Sequence, residues 1–114
     1  MIIHIKGFKE KTVLVIEKDN IIKITQHPGN SNNVCEWHAV IEALTYFSKN
    51  REGETGCKIY MDNMIVYKQL NWQYKKKKLK DLYFFYNTIK NGLSGYILTY
   101  DYVSGCDNPA RDYI

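Results

Sequence analysis

Residues 58–72 read K-I-Y-M-D-N-M-I-V-Y-K-Q-L-N-W, an apolar strand pattern that stops at an acid and an asparagine and turns at once into a helical one. C-K-I-Y-M (57–61) is a short strand, and M-I-V-Y-K-Q-L (64–70) fits a short helix. A strand that follows one helix and leads into another is reached by a crossover, so it can pair in parallel with an earlier strand. This unit points to a mixed sheet.

Upstream, I-I-H-I-K-G (2–7) is a strand with Ile3 and Ile5 pointing one way and His4 and Lys6 the other. Phe8-Lys9-Glu10 is a tight connection to T-V-L-V-I-E (12–17), and Asp19-Asn20 is a turn before I-I-K-I-T (21–25). These are three antiparallel strands in succession. The loop H-P-G-N-S-N-N (27–33) leads into a helix whose apolar face is Val34, Trp37, Ile41, Leu44 and Phe47, with Asn33 as N-cap and Glu36 three residues on.

Downstream of the opening unit, residues 79–90 form a second amphipathic helix with Leu79, Leu82, Phe85 or Tyr86, and Ile89 inward, ended by Asn91-Gly92. Y-I-L-T-Y-D-Y-V (96–103) is the last strand, and Asn108-Pro109 opens a final short helix. The order βββ-α-β-α-α-β-α predicts an α/β fold: a five-stranded mixed sheet, three antiparallel strands then two parallel, with helices on both faces. Residues 1–114 form a single domain without repeats or linker.

No apolar run approaches the roughly 20 residues of a membrane helix, and the N-terminus has no secretory pattern. Cys35, Cys57 and Cys106 are an odd number without C-x-x-C spacing, which argues against a disulfide framework and a zinc site. The expected location is the cytoplasm. The net charge of +4 comes almost wholly from lysine. Lys75, Lys76, Lys77 and Lys78 are consecutive and lie beside Trp72 and Tyr74, a combination that suits either a nucleic-acid surface or a solvated loop.

In a mixed sheet, sites form at the carboxyl ends of strands where the topology switches. Glu36 in the first turn of the first helix, Asp62 after the fourth strand and Asp112 in the last helix fall at such places. Converging carboxylates repel one another unless a cation neutralises them, and hard oxygen ligands suit Mg²⁺ or Mn²⁺. Each acid also has a local alternative: a capping box with Asn33 for Glu36, a cap on the helix at 64 for Asp62, and a helix-dipole partner for Asp112.

N-N-V-C-E-W-H-A-V-I-E-A-L (32–44), residues 58–72 and V-S-G-C-D-N-P-A-R-D (103–112) together resemble the ribonuclease H family, in order and over nearly the whole chain. They are similar to its T-N-N-x-x-E helix, its strand-D-S-x-x-V helix with a following tryptophan, and its V-x-x-x-x-N-x-x-x-D end. The resemblance implies cleavage of the RNA strand of RNA-DNA hybrids by two metal ions held by four carboxylates. Glu36, Asp62 and Asp112 match three of these as catalytic and metal-binding residues. Asn32 and Asn33 match hybrid-contacting amides, and Trp72 with Lys75 to Lys78 falls where the family grips the DNA strand.

One departure decides the chemistry. The family's first strand ends T-D-G, with an aspartate that bridges both metals; here the strand ends I-K-G, so Lys6 stands at the aspartate and Gly7 at the glycine. The glycine-rich loop that follows in the family is reduced to a few residues, Cys106 stands where longer members carry a histidine, and Met64 where many have glutamine. An ammonium in place of the bridging carboxylate changes the local charge by two units and repels the metal it should hold. It can instead pair with Glu36, Asp62 or Asp112, as a structural element or a phosphate contact. A different alignment of the first strand would have Glu10, Glu17 or Asp19 supply the fourth acid, but Glu17 lies too far along the second strand and Glu10 sits in the hairpin.

Two readings follow. One is a ribonuclease H-like domain that binds RNA-DNA hybrid or a related duplex with a degenerate site and needs no cofactor; the other is an active Mg²⁺- or Mn²⁺-dependent endoribonuclease. A third has the fold serve as a scaffold within a protein complex.

Overall fold

The computed structural model describes residues 1–72 and 79–114, the side chain of Trp72 excepted. Its strands are β1 (Ile2–Phe8), β2 (Lys11–Ile16), β3 (Ile21–Gln26), β4 (Gly56–Met61) and β5 (Ile97–Tyr102), and its α-helices are α1 (Asn32–Lys49), α2 (Met64–Trp72) and α3 (Lys80–Gly92). Three single-turn or short 3-10 segments lie at Lys18–Asn20, Gly105–Asp107 and Pro109–Tyr113. The sheet order is β3-β2-β1-β4-β5, with β1, β2 and β3 antiparallel and β4 and β5 parallel to β1. That is the mixed sheet expected from the strand-to-helix unit at 58–72.

The hairpin between β1 and β2 turns on Lys9 and Glu10, both at positive φ (51° and 61°), the geometry of a two-residue turn whose twist matches its strands. In β1 the inward residues are Ile3, Ile5 and Gly7, and the opposite face carries His4, Lys6 and Phe8. Ile3 pairs with Ile16 on one side and Ile59 on the other, so the centre of the sheet is continuous apolar surface.

Helix α1 lies across β1 and β2, and α3 packs on α1. Trp37, Val40, Leu44 and Phe47 are buried on its inner face beside Ile3, Ile5, Leu14 and Ile59. Each such side chain taken fully out of water contributes roughly 1.5–3 kcal/mol. Two polar links tie the helices to this core. Trp37 Nε1 donates to buried Gln69 Oε1 of α2 at 2.7 Å, and the hydroxyls of Tyr86 (α3) and Tyr100 (β5) meet at 2.8 Å.

The second face is covered by the 3-10 segment Pro109–Tyr113, where Ala110 is buried against Val13 and Val15. An α-helix was expected there; a segment of five residues has too few i→i+4 bonds to offset the cost of nucleating one. Asn108 caps it as expected, accepting from Ala110 N at 3.1 Å, and also donates from Nδ2 to Ile5 O at 2.9 Å. The turn after β5 is thereby fastened to β1. The N-cap of α1 is Ser31, whose Oγ accepts from Val34 N at 3.3 Å, two residues before the expected Asn33.

Candidate functional site

The ends of β1 and β4, the first turns of α1 and the 105–113 segment meet at one edge of the sheet. Gly7 makes that meeting possible. A Cβ there would collide with the backbone nitrogen of Glu36 and the carbonyl carbon of Cys35, so α1 touches β1 backbone to backbone. Glu36, fully buried, uses the contact: its Oε2 accepts from Gly7 N at 2.6 Å. Burial pushes the Glu36 carboxyl up to about 8, with the negative Asp62 adding to the rise and the Gly7 hydrogen bond and Lys6 opposing it. At neutral pH this acid is mainly protonated.

Asp62 stands directly after β4, its side chain 3% exposed, and its Oδ1 is 2.5 Å from Lys6 Nζ. The neighbouring Asn63, not Asp62, caps α2: Asn63 Oδ1 accepts from Val66 N at 3.1 Å. Asp62 is therefore free of any helix-end duty and pairs with the lysine of the next strand. The Lys6 side chain is 16% exposed, so the pair is partly buried, and losing the lysine leaves a carboxylate with little access to water.

Asp112 is exposed; of the same segment Arg111 lines the site, where Lys6, Lys9, Asp62, Gly105, Arg111 and Ile114 border one cavity of about 450 Å³. Among the described residues no group of three or more acidic, histidine or cysteine side chains is placed to hold a metal ion. Two metals held by four carboxylates do not fit this set. The Lys6 ammonium already occupies Asp62 Oδ1. Two carboxylate oxygens of the site, Glu36 Oε1 and Asp62 Oδ2, are buried without a hydrogen-bond partner among the described residues, as is Glu42 Oε2 elsewhere on α1.

The amides are also engaged. Asn32 Oδ1 accepts from Lys9 N at 3.1 Å, and Asn33 Oδ1 accepts from Asn63 Nδ2 at 2.8 Å. The loop before α1 is fixed to the hairpin by Glu10, whose carbonyl accepts from His27 N and whose Oε1 accepts from Gly29 N at 2.8 Å. Glu17 instead pairs with His4 at 2.7 Å. Neither acid reaches Asp62. Trp72 as a side chain, and Lys75, Lys76, Lys77 and Lys78 entirely, lie outside the described residues. The sequence reading missed Lys9 and Arg111. Both are one residue from a position it did weigh, and no local pattern shows that the hairpin tip and the last turn share a cavity.

Solved structures superpose on this arrangement over almost its whole length. LC11-RNase H1 in complex with an RNA/DNA hybrid matches with a TM-score of 0.80 and 21% identity, covering 98% of this chain and 91% of that one. The chain has the ribonuclease H fold. RNase H1 from the halophilic archaeon Halobacterium salinarum gives a TM-score of 0.70 at 20% identity, covering 99% of this chain and 93% of its own. The N-terminal RNase H domain of Rv2228c from Mycobacterium tuberculosis, solved as a fusion with maltose-binding protein, gives 0.66 at 20%, covering 99% and 95%. No family model and no curated protein sequence matches the chain. The ribonuclease H fold is thus carried by topology and packing, at a level of identity where single site residues have to be read from the geometry.

Proposed function

We propose that the chain is a nucleic-acid-binding domain of the ribonuclease H fold that holds RNA-DNA hybrid, or a related duplex, without cutting it. The observation that carries this reading is the Lys6–Asp62 pair at 2.5 Å, which puts a resident cation on the carboxylate at the centre of the site. Support for the ligand comes from the fold shared with a protein solved on an RNA/DNA hybrid, from the basic balance of the chain, and from Lys75 to Lys78 beside Trp72. A hybrid is recognised by groove shape, phosphates and sugar hydroxyls, which needs no base-reading side chains.

The unpartnered oxygens of Glu36 and Asp62 favour a second reading, an active Mg²⁺- or Mn²⁺-dependent endoribonuclease. One assay separates the two. A labelled RNA-DNA hybrid is incubated with the protein in Mg²⁺ and in Mn²⁺, beside the Asp62→Asn variant, while retention is followed by gel shift. The binding-only reading expects a shifted, intact hybrid. Cleavage that Asp62→Asn abolishes overturns it in favour of the nuclease, and the absence of any shift at low salt leaves a protein-complex scaffold. The cytoplasm is the compartment we assign to either activity.

A further inference from the structure

The cavity beside the Lys6–Asp62 pair has a charge pattern that the pair does not account for. Three of its lining side chains are cations, Lys6, Lys9 and Arg111, and one is a carboxylate, Asp62. Lys6 neutralises Asp62. Among the described residues neither Lys9 nor Arg111 is ion-paired, so two cations beyond the pair line the same hollow, which Ile114 with its terminal carboxylate also lines.

Both are placed there by the fold. Lys9 is the first residue of the hairpin turn, and its ammonium sits 5.6 Å from the centroid of the Phe8 ring, which carries Lys6 Nζ at 5.5 Å as well. The ring holds the two ammonium groups beside one apolar support. Arg111 comes from the other wall. Its guanidinium lies against Gly105, where a Cβ would collide with Nη1, so the absence of a side chain at 105 gives the guanidinium its room. That wall is in turn fixed to β1 by the Asn108 Nδ2 bond to Ile5 O at 2.9 Å. A planar guanidinium and a compact ammonium facing one polar cavity are the donors that phosphate oxygens suit.

We propose that this cavity seats one backbone phosphodiester of the bound strand directly on Lys9 and Arg111, with no metal ion between. The proposal rests on the nucleic-acid reading above and makes it specific: the ligand is a phosphodiester within a strand, and the contact is direct. The cavity volume of about 450 Å³ accommodates a phosphate with its two flanking sugars.

The test is fluorescence anisotropy of a labelled 12-base-pair hybrid against KCl, with and without EDTA, for the native protein, Lys9→Gln, Arg111→Gln, Arg111→Lys and the double glutamine variant. Both positions are exposed, and thermal melts confirm folding of each variant. The expected result is binding indifferent to EDTA, weakened about tenfold in the double variant, with the slope of log K against log salt flatter by about one. Arg111→Lys keeps charge but loses the fork, so it recovers only part of the loss. Unchanged affinity and slope in the double variant, with hybrid still bound, overturn the phosphate seat while leaving nucleic-acid binding intact. Binding lost in EDTA overturns it in favour of a metal-mediated contact. Inorganic phosphate and a nucleoside monophosphate form a separate arm, read by NMR at the Arg111 side chain. Weak shifts at millimolar concentration are expected, and a monophosphate that binds as tightly as the hybrid overturns the backbone assignment. If no nucleic acid binds, the reading above fails, and a silent phosphate titration then overturns the seat as well.

Discussion

The Lys6 ammonium and the Asp62 carboxylate, 56 residues apart in sequence, meet at 2.5 Å where β1 and β4 end side by side. The pair gives Asp62 a counter-charge fixed inside the protein. Lys6→Met removes the cation without removing bulk and leaves a carboxylate 3% exposed. We expect a loss of about 3 kcal/mol, read from urea unfolding midpoints at pH 7. A change under half that size places the pair in effectively aqueous surroundings.

Lys6→Asp tests the same position from the opposite side. It returns a carboxylate to the end of β1 beside Asp62 and Glu36, a cluster that repels itself unless a divalent cation enters. The expected outcome is a variant less stable than the native chain in EDTA and raised in Tm by millimolar Mn²⁺, whereas the native chain stays unmoved. Equal Mn²⁺ responses in the two proteins contradict the assignment.

Gly7→Ala places a methyl group into the backbone of Glu36 and Cys35. Backbone cannot turn aside as a flexible side chain does, so the cost lies at or above the upper end of ordinary overpacking, about 3 kcal/mol. Circular dichroism melts measure it. A melting point within a few degrees of native means that α1 is able to slide off β1.

Glu36 makes stability fall with rising pH. Its carboxyl titrates near 4.5 in the unfolded chain and near 8 when folded, so the folded state holds the proton more tightly. The contribution is complete below pH 4.5 and is lost progressively until about pH 8. Glu36→Gln removes this slope. The stability difference between native and variant is therefore expected to shift in favour of the glutamine from pH 5 to 8 and then level off. Parallel curves across that interval exclude a buried neutral acid.

Thiol chemistry should divide the three cysteines. Cys57 is buried with its thiol pushed up to about 12, and burial raises Cys35 as well, whereas Cys106 is exposed. An aromatic disulfide reagent at pH 8 is expected to modify one thiol quickly, lost in Cys106→Ser, and the other two only on unfolding.

The sheet and its helices were legible because the alternation in β1, the helical spacing in α1 and the turn residues agreed, although β2 is buried and β3 exposed without alternating. Ile3 and Ile5 face the core as their alternation requires, and Trp37, Leu44 and Phe47 do so on α1. The end of the chain was harder. Pro109 and Asn108 signal a helix start identically for α and 3-10 geometry, and only the number of turns available separates them. Asp62 was the expected cap of the helix at 64, but the adjacent Asn63 takes it and leaves Asp62 to Lys6. The pairing of Lys6 with one of the three acids was open to sequence reasoning, but its choice of Asp62 was not, since it depends on which strand ends lie level. Lys9 and Arg111 are distant in sequence and share a cavity only through the fold.

The amide of Asn108 joins Ala110 N to Ile5 O, so the segment bearing Arg111 is bonded to the strand that bears Lys6. Wall and floor of the cavity are therefore expected to open together rather than as a loop flapping over a rigid base. Amide protons around Ala110 should exchange with solvent on the slow timescale of β1, and a ligand that slows exchange in one should slow it equally in the other. For a surface turn at the edge of a small protein, that places its motion under the control of the central strand.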